Sequence, residues 1–201
     1  MKKLESSLKN MVLSLTGFSI LAGGLLGWIN AATAEPIAQA NANALSDAIA
    51  KVVPGFDNNP SEEAENVEVN GTTYKIYPAT QGGKAIGAAV EASANGFGGA
   101  LTVLVGFDTE GNIIDYSLLS HTETPGLGSK AADWFKKGAK GDITGKNPGE
   151  KTLSVTKDGG EIDAITASTI TSRAFLQAVN NAYAAYMNKQ VDSTSGASPQ
   201  Y

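Results

Sequence analysis

Between Asp163 and Ser172 the chain reads Asp-Ala-Ile-Thr-Ala-Ser-Thr-Ile-Thr-Ser, which puts the hydroxyls of Thr166, Ser168, Thr169 and Thr171 within six positions. A long helical pattern follows them. Hydroxyls at the mouth of a helix suit two tasks. They can cap it, a role in which Ser and Thr are ordinary choices. Alternatively, one of them can carry a phosphate, because the unpaired first-turn amides and the helix dipole both favour negative charge there. The local sequence leaves both tasks open.

A second group of residues, Ser120-His-Thr-Glu-Thr-Pro-Gly-Leu-Gly128, follows a predicted strand. Pro125 fixes φ and removes a donor, while Gly126 and Gly128 let the backbone approach a flat ligand closely. Exposed amides together with Glu123 and Thr124 could meet the polar edge of a heteroaromatic ring, with Leu127 over its face. An ordinary Pro-Gly turn has the same sequence signature. A third cluster, Gly96-Phe-Gly-Gly99, reads equally as a close-approach loop or as a strand lead-in. It is not a dinucleotide fingerprint, since its spacing differs and a strand rather than a helix follows.

Composition narrows the chemistry. The 201 residues carry a net charge of −5, with no cysteine and one histidine, His121. Without cysteine there is no disulfide, thiolate-zinc site or cysteine-ligated iron–sulfur cluster, and one histidine cannot build a multi-histidine metal site. Redox chemistry here requires an organic cofactor. No basic stripe exists, so nucleic acid is not an expected partner.

The elements that position these residues follow an N-terminal apolar run. Lys2, Lys3 and Lys9 precede an uncharged stretch from Asn10 to Ala34, with Trp28 near its far end. A hydrocarbon core of about 30 Å needs roughly 20 helical residues, which this run supplies. The lysines orient the start toward the cytoplasm and the rest across the membrane. The expected division is a cytoplasmic N-terminus (1–10), a transmembrane anchor (11–34), a helical linker (35–60), an extracytoplasmic domain (61–190) and a flexible tail (191–201). Ala32-Thr33-Ala34 also has the form of a signal-peptide cleavage site, although the apolar run exceeds the usual signal core.

Within the domain, 67–77 reads as a hairpin around Asn70-Gly71, 86–92 as a strand, and 101–107 and 113–119 as strands joined by a turn at Asp108–Gly111. A short helix is expected over 131–137, and a second hairpin over 153–165 around Gly159-Gly160. The final helix spans about 169–188, with Phe175, Val179, Ala182, Tyr183 and Tyr186 on one stripe. Short loops imply antiparallel pairing. The fold class is therefore α+β: an antiparallel sheet with flanking helices, preceded by one N-terminal transmembrane helix.

Taken together, Gly96-Phe-Gly-Gly99, His121-Thr-Glu-Thr-Pro-Gly-Leu-Gly128 and the Asp163–Thr171 hydroxyl cluster resemble the FMN-binding domain with covalently attached flavin. The resemblance covers roughly residues 52–186. The single anchor and short length are most similar to the G subunit of the Rnf complex, an ion-pumping ferredoxin:NAD oxidoreductase. The C subunit of the sodium-pumping NADH:quinone oxidoreductase shares the domain and is the alternative; a flavin domain serving a stand-alone extracytoplasmic reductase and a non-redox membrane-tethered binding domain are further ones.

The resemblance implies a protein of the inner membrane that relays electrons between other membrane redox subunits. It implies FMN esterified through its phosphate to Thr169 by a separate flavin transferase that takes FMN from FAD. Thr166, Ser168, Thr171, Glu123, Thr124, Gly126, Leu127 and Arg173 are the other expected cofactor contacts, with no metal and no catalytic acid–base pair. Arg173, four residues beyond Thr169, could lean back over the phosphate or stand in solvent. Asp163 would belong to the transferase recognition motif. One departure is Thr166-Ala-Ser-Thr169, where the family usually has Gly at the second position and Ala at the third.

Overall fold

The computed structural model describes residues 8–195. These form two units, the first ending at Ala44 and the second beginning at Leu45.

The first unit is helical. Helix α1 runs from Leu8 to Val52, and its first part contains an 18-residue window apolar enough to cross a membrane, none of it buried against protein. At 1.5 Å per residue, 20 residues of it span about 30 Å. Residues 35–60, expected as a helical linker, divide. Pro36 lies inside α1 without ending it. Beyond Ala44 the helix belongs to the second unit, because Ala48, Ile49 and Val52 are buried in its core. Residues 1–7 of the expected cytoplasmic segment lie outside the described residues.

The second unit is built on a five-stranded antiparallel sheet in simple meander order: β1 (Glu65–Val69), β2 (Thr72–Gln81), β3 (Lys84–Asn95), β4 (Ala100–Asp108) and β5 (Ile113–His121). The first hairpin forms where expected. Asn70 and Gly71 both adopt positive φ (53° and 74°), as a two-residue primed turn requires, and Val69 pairs with Thr72.

Alternating side chains send Ile76, Val90, Val103, Val105 and Tyr116 to one face, which helix α3 (Thr169–Ser195) covers with Phe175, Val179, Ala182 and Tyr186. Phe175 stacks on Phe135 with centroids 4.3 Å apart and meets Tyr116 edge-on at 4.8 Å; Phe107 stacks on Tyr186 at 5.4 Å. The opposite face, with Tyr77, Ala79, Ala89 and Leu104, receives Ile49 and Val52 from the end of α1 and Val53 just beyond it. The expected stripe on the last helix is therefore the main seam of the core. That helix continues to Ser195 and so takes in 191–195 of the expected tail, and 196–201 lie outside the described residues.

Two connections differ from expectation. The short helix α2 covers only Ala131–Trp134, held down by Tyr116, whose hydroxyl donates to the Ala131 carbonyl (2.7 Å) and accepts from Phe135 N–H (3.2 Å). The second hairpin does not form. Residues 153–165 make a single bridge between Val155 and Ile162 around a 3-10 turn at Thr156–Asp158, closed by Gly159 in the left-handed region (φ 81°). That turn takes up the Val155 and Thr156 carbonyls, which accept from the Asp158 (2.9 Å), Gly160 (3.0 Å) and Gly159 (3.2 Å) amides.

Candidate functional site

Three separate segments meet at the N-terminal end of α3. They enclose a cavity of about 420 Å³ lined by Phe97, Glu123, Thr124, Leu127, Gly128 and the run from Ala167 to Thr171. The two sequence elements singled out for chemistry thus face each other, and the glycine cluster between β3 and β4 supplies a third wall.

Glu123 ties these walls together. It is 6% exposed, and its carboxylate accepts from the Thr171 hydroxyl at 2.7 Å and from the Gly98 amide at 3.2 Å. Buried carboxylates persist only when hydrogen-bonded, and these two donors come from two different walls. The fit leaves no room for extra atoms. A Cβ at Gly128 would come within 2.5 Å of Glu123 Oε2 and 2.7 Å of Thr171 Oγ1, and one at Gly98 within 2.2 Å of the Thr122 carbonyl. Gly96–Gly99 is therefore a close-approach loop, and it leaves Phe97 71% exposed at the cavity.

On the other wall the Ser168 carbonyl accepts the Ser172 amide at 3.0 Å, which makes Ser168 the cap position and Thr169 the first helical residue. Ser172, fully buried, fastens the loop before it: its hydroxyl accepts from Ile165 N–H at 2.9 Å and donates to the Ser168 carbonyl at 3.0 Å. Ala167 turns the chain into the helix with φ 61°, a left-handed conformation that a residue with a Cβ adopts at a cost of roughly 1–2 kcal/mol. The four hydroxyls of the cluster consequently differ. Thr166 is exposed and outside the cavity wall, while Ser168 and Thr171 line it but are buried. Thr169 lines it, is partly exposed, and has Lys157 Nζ 3.3 Å from its hydroxyl.

Of the nine residues expected at a cofactor, Glu123, Thr124, Leu127, Ser168, Thr169 and Thr171 share this cavity. Thr166, Gly126 and Arg173 do not line it. Gly126 serves the turn, donating its amide to Ser129 Oγ at 2.9 Å with φ 74°. Arg173 does not lean over Thr169. It makes a two-pronged pair with Asp158, at 2.7 Å through Nε and 2.6 Å through an amino group. The Arg173 hydrogen bond holds the Asp158 carboxyl below its ordinary range, and the same contact raises the guanidinium. Asp163 lies outside the wall, with its backbone carbonyl accepting from Trp134 Nε1 at 2.8 Å.

Sequence reasoning assigned no role to Lys157, Ile170 or Ser172. Ser172 had a signal in its four-residue spacing from Ser168. Lys157 had none, because a turn that read as a hairpin brings it in.

The model of the FMN-binding domain family matches residues 96–184, a span that contains all three walls. The G subunit of the ion-translocating oxidoreductase complex of Yersinia pestis is 34% identical over 181 residues, covering 85% of this chain and 86% of that protein. The G subunit of the same complex in Shewanella piezotolerans is 35% identical over 187 residues, 87% of each. The chain belongs to the G-subunit family of ion-translocating oxidoreductase complexes. Among solved structures, the fold of this family member is similar to that of the C subunit of the Na(+)-translocating NADH-quinone reductase from Parabacteroides distasonis, at 20% identity and a TM-score of 0.48 over 74% of this chain and 93% of that one.

Proposed function

We propose that this chain is the electron-relaying flavin subunit of a membrane-bound, Rnf-type ion-translocating ferredoxin:NAD oxidoreductase, with FMN joined by a phosphoester bond to Thr169. One observation carries the attachment site: Thr169 is the only hydroxyl of the cluster that both lines the cavity and is not buried.

The residues present suit the group. The first-turn amides of α3 have no partner within the helix and, with its dipole, favour a phosphate monoanion at residue 169 by about 0.3–1 kcal/mol. Phe97, Leu127 and Ile170 present apolar side chains at the cavity for a flat ring. Glu123 spends its carboxylate on holding the walls in register. FMN supplies electron transfer singly or in pairs, which lets one carrier join partners of either kind.

The protein's own work is to tether and enclose it. Tethering suits a domain outside the cytoplasm, where a dissociated cofactor is lost to dilution. In this reading α1 anchors the chain in the inner membrane with the second unit on the extracytoplasmic side. The partners are the other redox subunits of the complex, and a flavin transferase during maturation.

The test is the intact mass and in-gel fluorescence of the full chain, made with and without a flavin transferase. The expected result is one FMN adduct that disappears in Thr169→Ala and persists in Thr166→Ala. Persistence in Thr169→Ala moves the attachment to another hydroxyl. A colourless, unmodified chain in the presence of active transferase ends the relay reading.

A further inference from the structure

The only described cation whose charged atom contacts the Thr169 hydroxyl is Lys157, on the 3-10 turn at Thr156–Asp158. The adjacent Asp158 is clamped by Arg173, which stands one helical turn beyond Thr169. The clamp joins the turn to the first turns of α3 and so fixes where Lys157 stands. Arg173, with both prongs on a carboxylate, has its charge answered already. The Lys157 ammonium, which also feels the neighbouring Asp158 carboxylate, has three donors and a flexible stem, and the hydrogen bond it makes is to the neutral Thr169 hydroxyl.

We propose that Lys157 is the residue that pairs with the phosphate of the flavin on Thr169, and that the Asp158–Arg173 ion pair is a positioning device for Lys157 rather than a phosphate contact. This rests on the attachment of FMN described above. A phosphodiester at residue 169 leaves one negative charge, which the ammonium meets as a point-charge donor. The arrangement separates two tasks that the sequence spacing would give to one arginine: Arg173 sets geometry, and Lys157 neutralises charge.

The experiment uses the full chain in detergent, prepared with and without a flavin transferase, with the intact mass recorded first. Absence of an FMN adduct overturns both the attachment reading and this proposal. With the adduct present, pulse acylation of lysines followed by peptide mass analysis compares the two forms. Lys157 should react several-fold more slowly in the loaded form, the size of one solvent-exposed ion pair. Lys84 and Lys140, both exposed and outside the cavity wall, should keep their rates.

The 31P resonance of the loaded chain separates pairing from mere cover. It should move in Lys157→Met and return in Lys157→Arg. Arg173→Gln should move it in the wild-type background and add nothing in Lys157→Met, as residues acting through one contact do. An unprotected Lys157, an unmoved resonance in Lys157→Met, or an equal Arg173→Gln effect in both backgrounds overturns the assignment while leaving the adduct, and the attachment reading, intact.

Discussion

Thr169 and Thr171 stand two residues apart on the first turn of α3 and line the same cavity, yet the fold treats them in opposite ways. Thr171 is 1% exposed and donates to the carboxylate of Glu123 at 2.7 Å. Thr169 is partly exposed and faces a lysine ammonium at 3.3 Å. The Glu123 wall is closed: a buried carboxyl group is satisfied by donors from two segments, and glycines remove the atoms that would part them. The Thr169 wall is open: a left-handed alanine delivers a hydroxyl that no wall of the cavity requires. A hydroxyl spent on holding walls together is a poor choice for covalent modification, because esterifying it would strip a buried carboxylate of its donor. A hydroxyl free of that duty can be modified at no cost to the fold.

The contrast predicts a graded series in unfolding of the full chain in detergent. Glu123→Ala should be the most damaging change. It leaves the Thr171 hydroxyl and the Gly98 amide without their acceptor and should lower stability by roughly 2–4 kcal/mol. A loss under about 1 kcal/mol would mean that water replaces the carboxylate and that the wall is not closed. Gly128→Ala should cost about 1–3 kcal/mol, since the added methyl meets Glu123 and Thr171 within 2.7 Å.

Ala167→Gly tests the open wall in the other direction. It relieves the left-handed strain but loosens the unfolded chain, so a net gain of up to about 1 kcal/mol is expected. Thr169→Ala should change stability by less than about 0.5 kcal/mol while removing the proposed flavin adduct. A large destabilisation there would abolish the distinction between the two walls.

The smallest expected effect is on pH. The Arg173 hydrogen bond depresses the Asp158 carboxyl, so whatever the pair contributes is fully present above the ordinary carboxylate value of about 4 and fades as pH falls through the lower folded value. A 13C carboxyl titration, with Asp158→Asn to assign the resonance, should show the group ionised until the solution is distinctly acidic. Titration at the ordinary value would indicate that the clamp on the Lys157 turn is loose in solution.

Local grammar accounts for much of the fold. The Asn70-Gly71 turn was legible because only residues tolerant of positive φ allow a two-residue primed turn, and both adopt it. The stripe on α3 was legible because helical periodicity sorts burial before any partner is known. The 153–165 segment was not. Gly159-Gly160 signals a turn between apolar runs, but a 3-10 turn and a hairpin share that signal, and only packing chose between them.

The site divides in the same way. Residue types by themselves determined that a phosphate-bearing cofactor was chemically reasonable, that metals held by cysteine or by several histidines were excluded, and that an apolar helix led the chain. Those conclusions depend on chemical inventory and on period, which need no third dimension. Which hydroxyl stays accessible, which carboxylate joins the walls and which cation stands at Thr169 were decided by tertiary contacts alone. Glu123 and Thr171 are 48 residues apart, Lys157 and Thr169 are 12 apart, and no local pattern encodes such pairings. Arg173 shows why. Its spacing placed it one turn from Thr169, but Asp158, 15 residues earlier, offered a better-matched partner, and a bidentate carboxylate outcompetes proximity along a helix.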